Sequence, residues 1–457
     1  MQRGKPGAGQ GRGRIVAAIF ALALAVGAGV AHAEQPLPDD PARLRAEADL
    51  LFKQILVRPN NLDAAFRYAE IETRLGDFEA AIGALERMLF YNPNLPRVKL
   101  ELGLLYFRLG SYEMARSYFE AASSGPNVPD DVRGRVASFL AEIDRRLSAS
   151  QFAAFAQTGF RYQTNANAGP QSDIVRALGQ DATLSSQFRR RGDWNWFITG
   201  SFHHVFDFGD QRGTVWETDG VAYYARQFQV TTLNLGIVEA STGPRFAIGD
   251  ATGLSFHPYL LANDVTLGDR QYFATGGAGG SLRYLMSFGA AVEPLVEFRA
   301  RSFANSGPYP TATNQTGDQT IVAVGVSGPL FLDNFTWQAR FSYTNDTAHY
   351  HPYAYDQFGI ELAVPYQFTG FIGDRSRVWT FAPFASFFDV GYAAADPIVD
   401  PAVKRHDQLY RFGATLDTAL WRNFGFALTL EYDRTNSNLP NYRMSDFIVS
   451  GGPTVRF

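Results

Sequence analysis

The chain has no cysteine, which excludes disulfide frameworks, thiolate nucleophiles and cysteine-ligated zinc. Charge of one sign is also scarce. The formal net charge is −4, and nucleic acid, which needs a basic face, is not an expected partner. Charged residues are only 19% of the chain and apolar ones 46%, a balance that argues against disorder. After residue 33 no run of about 18 uninterrupted apolar residues occurs, so helical membrane spans are not expected. Phosphate loops, dinucleotide fingerprints and nucleophile elbows are missing too. Of seven histidines, only His349 and His351 beside Asp346 resemble a ligand cluster. Short histidine pairs in loops are usually solvated and no third ligand is fixed, so neither metal nor cofactor is expected. No catalytic constellation stands out, and the chain reads as a non-enzyme.

The amino terminus reads as an export signal. Arg3, Lys5, Arg12 and Arg14 precede the apolar run Ile15 to Val30, and Ala31-His32-Ala33 supplies a small-x-small cleavage site before Glu34. Cleavage there removes basic residues only and leaves the chain more acidic. The remainder changes composition at Ser148 to Gln151. Residues 34–150 are rich in Ala, Leu, Glu and Arg at helical spacing, whereas 151–457 turn to Gly, Phe, Tyr, Thr and Asn with a period of two.

The helical segment matches itself at an offset of 34 residues. Leu75-Gly76-Asp77-Phe78-Glu79 falls on Leu109-Gly110-Ser111-Tyr112-Glu113, Ala81 on Ala115, Leu85 on Phe119, and Pro59-Asn60 on Pro93-Asn94. This period, with small residues where two helices cross, resembles the tetratricopeptide repeat. A helix pair of this kind needs neighbours to cover its apolar face, and helices over Arg43 to Val57 and Asp131 to Leu147 are placed to cap the stack. The resemblance implies a concave face for an extended client, formed by Asp63, Phe66, Glu70, Thr73 and Arg74 and then by Arg97, Leu100, Leu104, Phe107 and Arg108. The alternative is a solvated face with a few covered apolar residues.

From Gln151 onward, fourteen segments of alternating character predict a transmembrane antiparallel barrel. In residues 292–301 the even positions are apolar or proline, and the odd ones are Glu293, Leu295, Glu297, Arg299 and Arg301. One face would meet lipid and the other a wet lumen, which Glu431 and Asp433 join from a later strand, as do Arg340 and Glu361. Short and long connections alternate, and short turns face the periplasm in such barrels, so the repeats should lie in the periplasm. Two connections break the alternation: the gap near 229 is nearly absent and 242–252 is long. Pro258, Pro294, Pro365 and Pro383 fall inside predicted strands, where proline weakens a ladder.

The chain ends Ser450-x-Gly452-x-x-Val455-x-Phe457, similar to the terminal signal read by the barrel-assembly machinery of the outer membrane. An export signal, a short repeat domain and a terminal barrel together resemble the surface lipoprotein assembly modifiers of Gram-negative bacteria. Tyr162-Gln163-Thr164-Asn165-Ala166-Asn167 is similar to the Tyr-x-Ser/Thr-Asn-x-Asn element those proteins carry where the barrel begins. The resemblance implies delivery of a surface lipoprotein or secreted protein client through an outer-membrane barrel in contact with lipid. An exopolysaccharide export porin and a passive porin are the alternatives. A lipidated client favours lateral opening, and the seam between Phe152–Gln163 and Met444–Phe457 is the natural place, because Gly451, Gly452 and Pro453 weaken a strand. The same residues equally serve barrel curvature or the assembly signal.

Overall fold

The computed structural model describes residues 41–124, 130–210, 213–249, 253–330, 334–372 and 377–457, with the side chains of 130–132 left aside. The expected export signal at 1–33 lies outside them. The described residues divide into two compact units, one ending at Gln151 and the other beginning at Phe152. No helix among the described residues is long and apolar enough to cross a membrane.

The first unit holds six helices: α1 Pro41–Val57, α2 Leu62–Leu75, α3 Phe78–Tyr91, α4 Pro96–Arg108, α5 Tyr112–Ser123 and α6 Asp130–Leu147. Local chemistry sets their ends. Asn61 and Asp77 cap α2 and α3 by accepting from the Ala64 and Ala80 amides, and Pro96 opens α4 where no backbone donor is needed. Gly76 stops α2 at φ 85°, letting the next amide bond back to Glu72. The 34-residue offset of the sequence becomes the offset of α2/α3 onto α4/α5. At the equivalent crossings sit Ala69, 2% exposed, and Gly103, whose missing Cβ makes room for the Phe119 ring; an added Cβ would stand 2.7 Å from it. Separate cores result. Of the two larger, Ala69, Leu85, Leu102 and Leu105 belong to one, and Leu100, Phe119, Val136 and Ile143 to the second.

The second unit is a closed antiparallel barrel of fourteen strands. These are β1 Ser150–Gln163, β4 Asp193–Asp207, β5 Val215–Gln227, β6 Leu235–Ala247, β7 Leu254–Leu267, β8 Arg270–Leu285, β9 Ala291–Phe303, β10 Gly317–Pro329, β11 Thr336–Asp346, β12 Tyr355–Ala363 continued by β13 Tyr366–Thr369, β14 Val378–Ala395, β15 Lys404–Ala419, β16 Phe424–Ser437 and β17 Met444–Arg456. The hairpin β2 Ile174–Ala177 and β3 Gln180–Thr183 lies in the loop after β1. Each strand pairs with its sequence neighbour, and β17 returns to β1. Period two gives the wall its two faces: in β9, Val296 and Phe298 are 56% and 50% exposed while Glu297, Arg299 and Arg301 are buried. Aromatic side chains crowd the outward face near both rims, with Trp194, Trp196 and Phe228 at one and Phe206, Trp216 and Phe424 at the other.

Several expectations are corrected. Pro365 divides the tenth strand into β12 and β13, because it has no amide to donate and its carbonyl accepts from Thr336 outside the regular ladder. Pro258, Pro294 and Pro383 instead leave their strands continuous: each stays paired with the strand on one side, while the register on the other side lapses around it. The fourth strand is β6, beginning at Leu235 rather than 230 and running to Ala247. That shift creates a connection at 228–234 and removes the overlong one at 242–252. At the same rim Gly268 and Asp269 make a two-residue turn with φ 61° and 60°, so a short turn sits among the long ones. The β14–β15 loop shrinks to 396–403.

The Gly103 crossing gives a direct test. Gly103→Val places a branched side chain against Phe119, and such overpacking costs about 1–3 kcal/mol. The urea midpoint of the helical circular-dichroism signal is expected to fall in detergent-solubilised protein, with the heat-modifiable barrel unchanged.

Candidate functional site

Three regions carry the expected functional residues. On the repeats, Asp63, Arg74, Arg97 and Arg108 are exposed and Phe66 is half-buried, with the Arg97 guanidinium 4.7 Å above its ring. Glu70 pairs with Arg67 at 3.4 Å and with Arg97 at 3.9 Å. Thr73 donates its hydroxyl to the Ala69 carbonyl of its own helix at 2.7 Å. Leu100 is a correction: at 5% exposure it is sealed in the second core, and no client reaches it. Leu104 and Phe107 pack on the same core, Phe107 against Phe139 of α6 and beneath Arg146. These three leucine and phenylalanine positions seat the last helix, because helical period alone does not tell a groove from a buried flank. Glu101 was not singled out from the sequence. Burial pushes its carboxyl above the usual range, against the pull of Arg97, Arg135 and Arg108, so it belongs to the mixed-charge groove of α2, α4 and α6.

In the lumen every predicted charge has a partner. Arg299 bridges Glu297 on its own strand and Glu239 of β6, at 3.2 Å to the latter. Glu297 also accepts from Tyr259 at 3.0 Å. Glu293 accepts from Ser281 at 2.8 Å and lies 3.8 Å from Arg245, whose main partner is Glu217 at 2.7 Å. Arg301 binds Asp346, and Arg411 binds both Asp433 at 3.0 Å and Glu431 at 3.2 Å. Arg340 faces Glu361 at 3.9 Å. Asp346 is thus turned inward to Arg301 while His349 and His351 are exposed, which separates the one ligand-like cluster of the sequence. A cavity of about 450 Å³ lies where this lumen meets the loops 310–315, 350–353, 396–399 and 439–442.

The seam between β1 and β17 carries seven registered residue pairs, against twelve between β16 and β17. Gly159 and Gly452 press together there; a Cβ on Gly159 would fall 2.1 Å from the Gly451 carbonyl oxygen. Pro453 has no amide for the ladder. Of the terminal signal, Ser450 and Val455 are half-buried in the pairing, Gly452 is buried, and Phe457 is exposed with its amide bonded to Ala154.

Above these glycines a polar latch closes the seam. Asp446, fully buried, accepts from the Asn165 amide at 2.7 Å, the Thr164 hydroxyl at 3.0 Å and the Gln163 side chain at 3.3 Å. Asn165, also fully buried, donates to the Gly169 and Ser445 carbonyls and accepts from the Gly169 amide. Asn167 holds the returning loop through the Arg189 carbonyl and the Arg191 amide. The Tyr-x-Thr-Asn-x-Asn element is therefore a clasp between first and last strands, and Asp446 is its missing half. The loop beyond it continues the closure: Arg176 reaches Asp400 at 3.0 Å, and its backbone exchanges two bonds with the Asn441 side chain. The Ala402 amide, and then Arg176, hold the Asp400 carboxyl below its ordinary range.

The tetratricopeptide-repeat family matches residues 69–129. No curated protein sequence matches the chain. Among solved structures, it is similar to the type III secretion chaperone SycD of Yersinia enterocolitica in complex with a peptide of the translocator YopD, at 13% identity and TM-score 0.22, over 23% of this chain and 82% of that one. It is also similar to the outer membrane protein opdK of Pseudomonas aeruginosa, at 9% identity and TM-score 0.31, over 67% and 99%. A bacterial polysaccharide outer membrane secretin matches at 9% and 0.32, over 66% and 98%.

Asp446→Ala removes three acceptor contacts at once and leaves a buried amide unpaired, a loss of about 1–3 kcal/mol. The temperature at which the barrel loses its heat-modifiable form is expected to fall, and Asp446→Asn, which keeps an acceptor oxygen, should fall less.

Proposed function

We propose that this protein is an outer-membrane translocator that delivers lipoproteins, or related secreted proteins, to the cell surface. The repeat domain engages the client in the periplasm and the barrel provides the passage, as expected of a surface lipoprotein assembly modifier. The observation that carries this reading is the clasp. The sequence element behind the family resemblance is the element that fastens β1 to β17. A lipidated client has a polar body and acyl chains that belong in lipid, and only a lateral opening serves both. Asp446 with Thr164 and Asn165 is a catch that holds such an opening shut at rest.

The lumen supports the same reading. Arginines bridged to carboxylates on neighbouring and more distant strands, and loops knitted across the mouth, do not make a standing aqueous channel. Acids and bases also balance one another there, so no ion of one sign is favoured. An exopolysaccharide export porin is the second reading, favoured by the cavity beneath the loops.

The absence of native cysteine makes the seam testable by disulfides. Tyr162 and Val449 are partners across β1–β17, and Leu430 and Val449 across β16–β17. Oxidised Tyr162→Cys/Val449→Cys protein is expected to stop surface display of a lipoprotein encoded beside it, scored by protease shaving of intact cells, with recovery on reduction. Oxidised Leu430→Cys/Val449→Cys protein is expected to keep it. Normal display from a locked β1–β17 seam contradicts lateral release, and normal display without the protein contradicts the translocator reading itself.

A further inference from the structure

The cavity beneath the loops has a lining that the translocation reading does not use. Tyr272, Tyr350, Tyr353, Tyr355, Tyr392 and Tyr442 all face it. Its volume, about 450 Å³, falls in the range of small-ligand sites and far below what a folded client needs. The rings come from four barrel strands or their loops and are held in place. Tyr350 donates to Asp396 at 3.2 Å, Tyr272 accepts from Gln315 at 2.9 Å, and Tyr272 packs edge-on to Phe303 and Tyr309. Arg405 is fixed between two of them, 3.5 Å from the Tyr442 ring centre and 4.4 Å from that of Tyr392.

The charges in this lining are spent on one another except for Asp396, which accepts from Tyr350 and from the Ile398 amide. Arg405 binds Asp407 at 2.8 Å, Arg301 binds Asp346, and Arg340 faces Glu361. An anionic ligand would have to break one of these pairs to gain a partner, leaving a buried charge uncompensated, and a cationic one would have to compete with Tyr350 and the Ile398 amide for Asp396. A purely aliphatic ligand would strip water from the carboxylates, guanidinium groups and side-chain amides, Gln319 and Gln357 among them, without replacing its hydrogen bonds. A ligand with apolar faces for the rings and hydroxyls for the polar groups satisfies both.

We propose that the cavity binds a neutral saccharide, one or two sugar rings long, stacked on Tyr392, Tyr442 and Tyr355. The sugar is either a free oligosaccharide or a segment of a long surface glycan. The site stands apart from the clasp: its occupation does not require client passage, and client passage does not require the sugar.

Saturation-transfer NMR on the purified full-length protein in nanodiscs tests this, with maltose, cellobiose and lactose as free sugars, dextran as a chain, glucuronate as a charged control and octanoate as an aliphatic one. At least one neutral sugar is expected to receive transfer and to bind in the millimolar range or tighter. Tyr392→Ala and Tyr442→Ala should each weaken it about tenfold, and Tyr442→Phe, which keeps the ring, should not. Heat-modifiability verifies that each variant is folded. Binding of dextran alone assigns the site to a chain segment, and binding of free sugars to a diffusible ligand; either supports the proposal. No transfer to any neutral sugar, transfer that survives both alanine variants, or stronger binding of glucuronate or octanoate overturns it. Loss of sugar binding leaves lipoprotein display untouched, so the two failures are distinguishable.

Discussion

Inside a bilayer a backbone amide has no water to turn to, so a sheet persists there only if its last strand finds its first. Everything in the barrel depends on that one pairing. The first strand, Ser150–Gln163, and the last, Met444–Arg456, meet through seven registered pairs, and the seam carries Gly159, Gly451, Gly452 and Pro453, where side chains and one amide are lost. A seam thinned in this way needs a fastening, and the chain supplies it just above, in Asp446 and the run Gln163 to Asn167 at the end of the first strand. The fastening is polar, a set of amide, hydroxyl and side-chain hydrogen bonds gathered on one carboxylate.

The lumen shows the same economy of charge. Buried ions are stable only when paired, and removing one partner of such a pair costs about 3–5 kcal/mol. The arginines at 245, 299, 301, 340, 405 and 411 each stand against carboxylates, several of them on a neighbouring or more distant strand. The inner wall is therefore cross-braced. Such bracing keeps the strands in register and resists a charged traveller through the centre; on the proposed reading, the seam, fastened by the Asp446 clasp, is where the wall parts. The repeat unit follows a different logic: its helices are held by small residues at crossings, and its groove is left with mixed charge and one aromatic ring.

Much of this was legible in the chain because it rests on local periodicity. An offset of 34 residues located the helix pairs, and alternation over ten residues located fourteen strands and put Glu297, Arg299 and Arg301 inside. What was not legible was long-range or stereochemical. Asp446 lies 281 residues from Asn165, and nothing in spacing joins them. Leu100 shares its helical period with true groove residues, so only the packing of α6 shows that it is sealed. The two-residue turn at Gly268 and Asp269 depends on positive φ at an aspartate, which composition does not announce. Pro365 ended its strand while Pro258, Pro294 and Pro383 interrupted the pairing on one side only, a difference set by partners far away in the chain.

The central claim is that a client leaves through the seam. A photo-crosslinking amino acid at Phe160, on the lipid face of β1, and another at Phe298, on the lipid face of β9, separate this from all central routes. With a stalled lipoprotein client, the account predicts a crosslink at position 160 and none at 298. Equal crosslinking at both, or crosslinks confined to lumen positions such as Glu297, would contradict it.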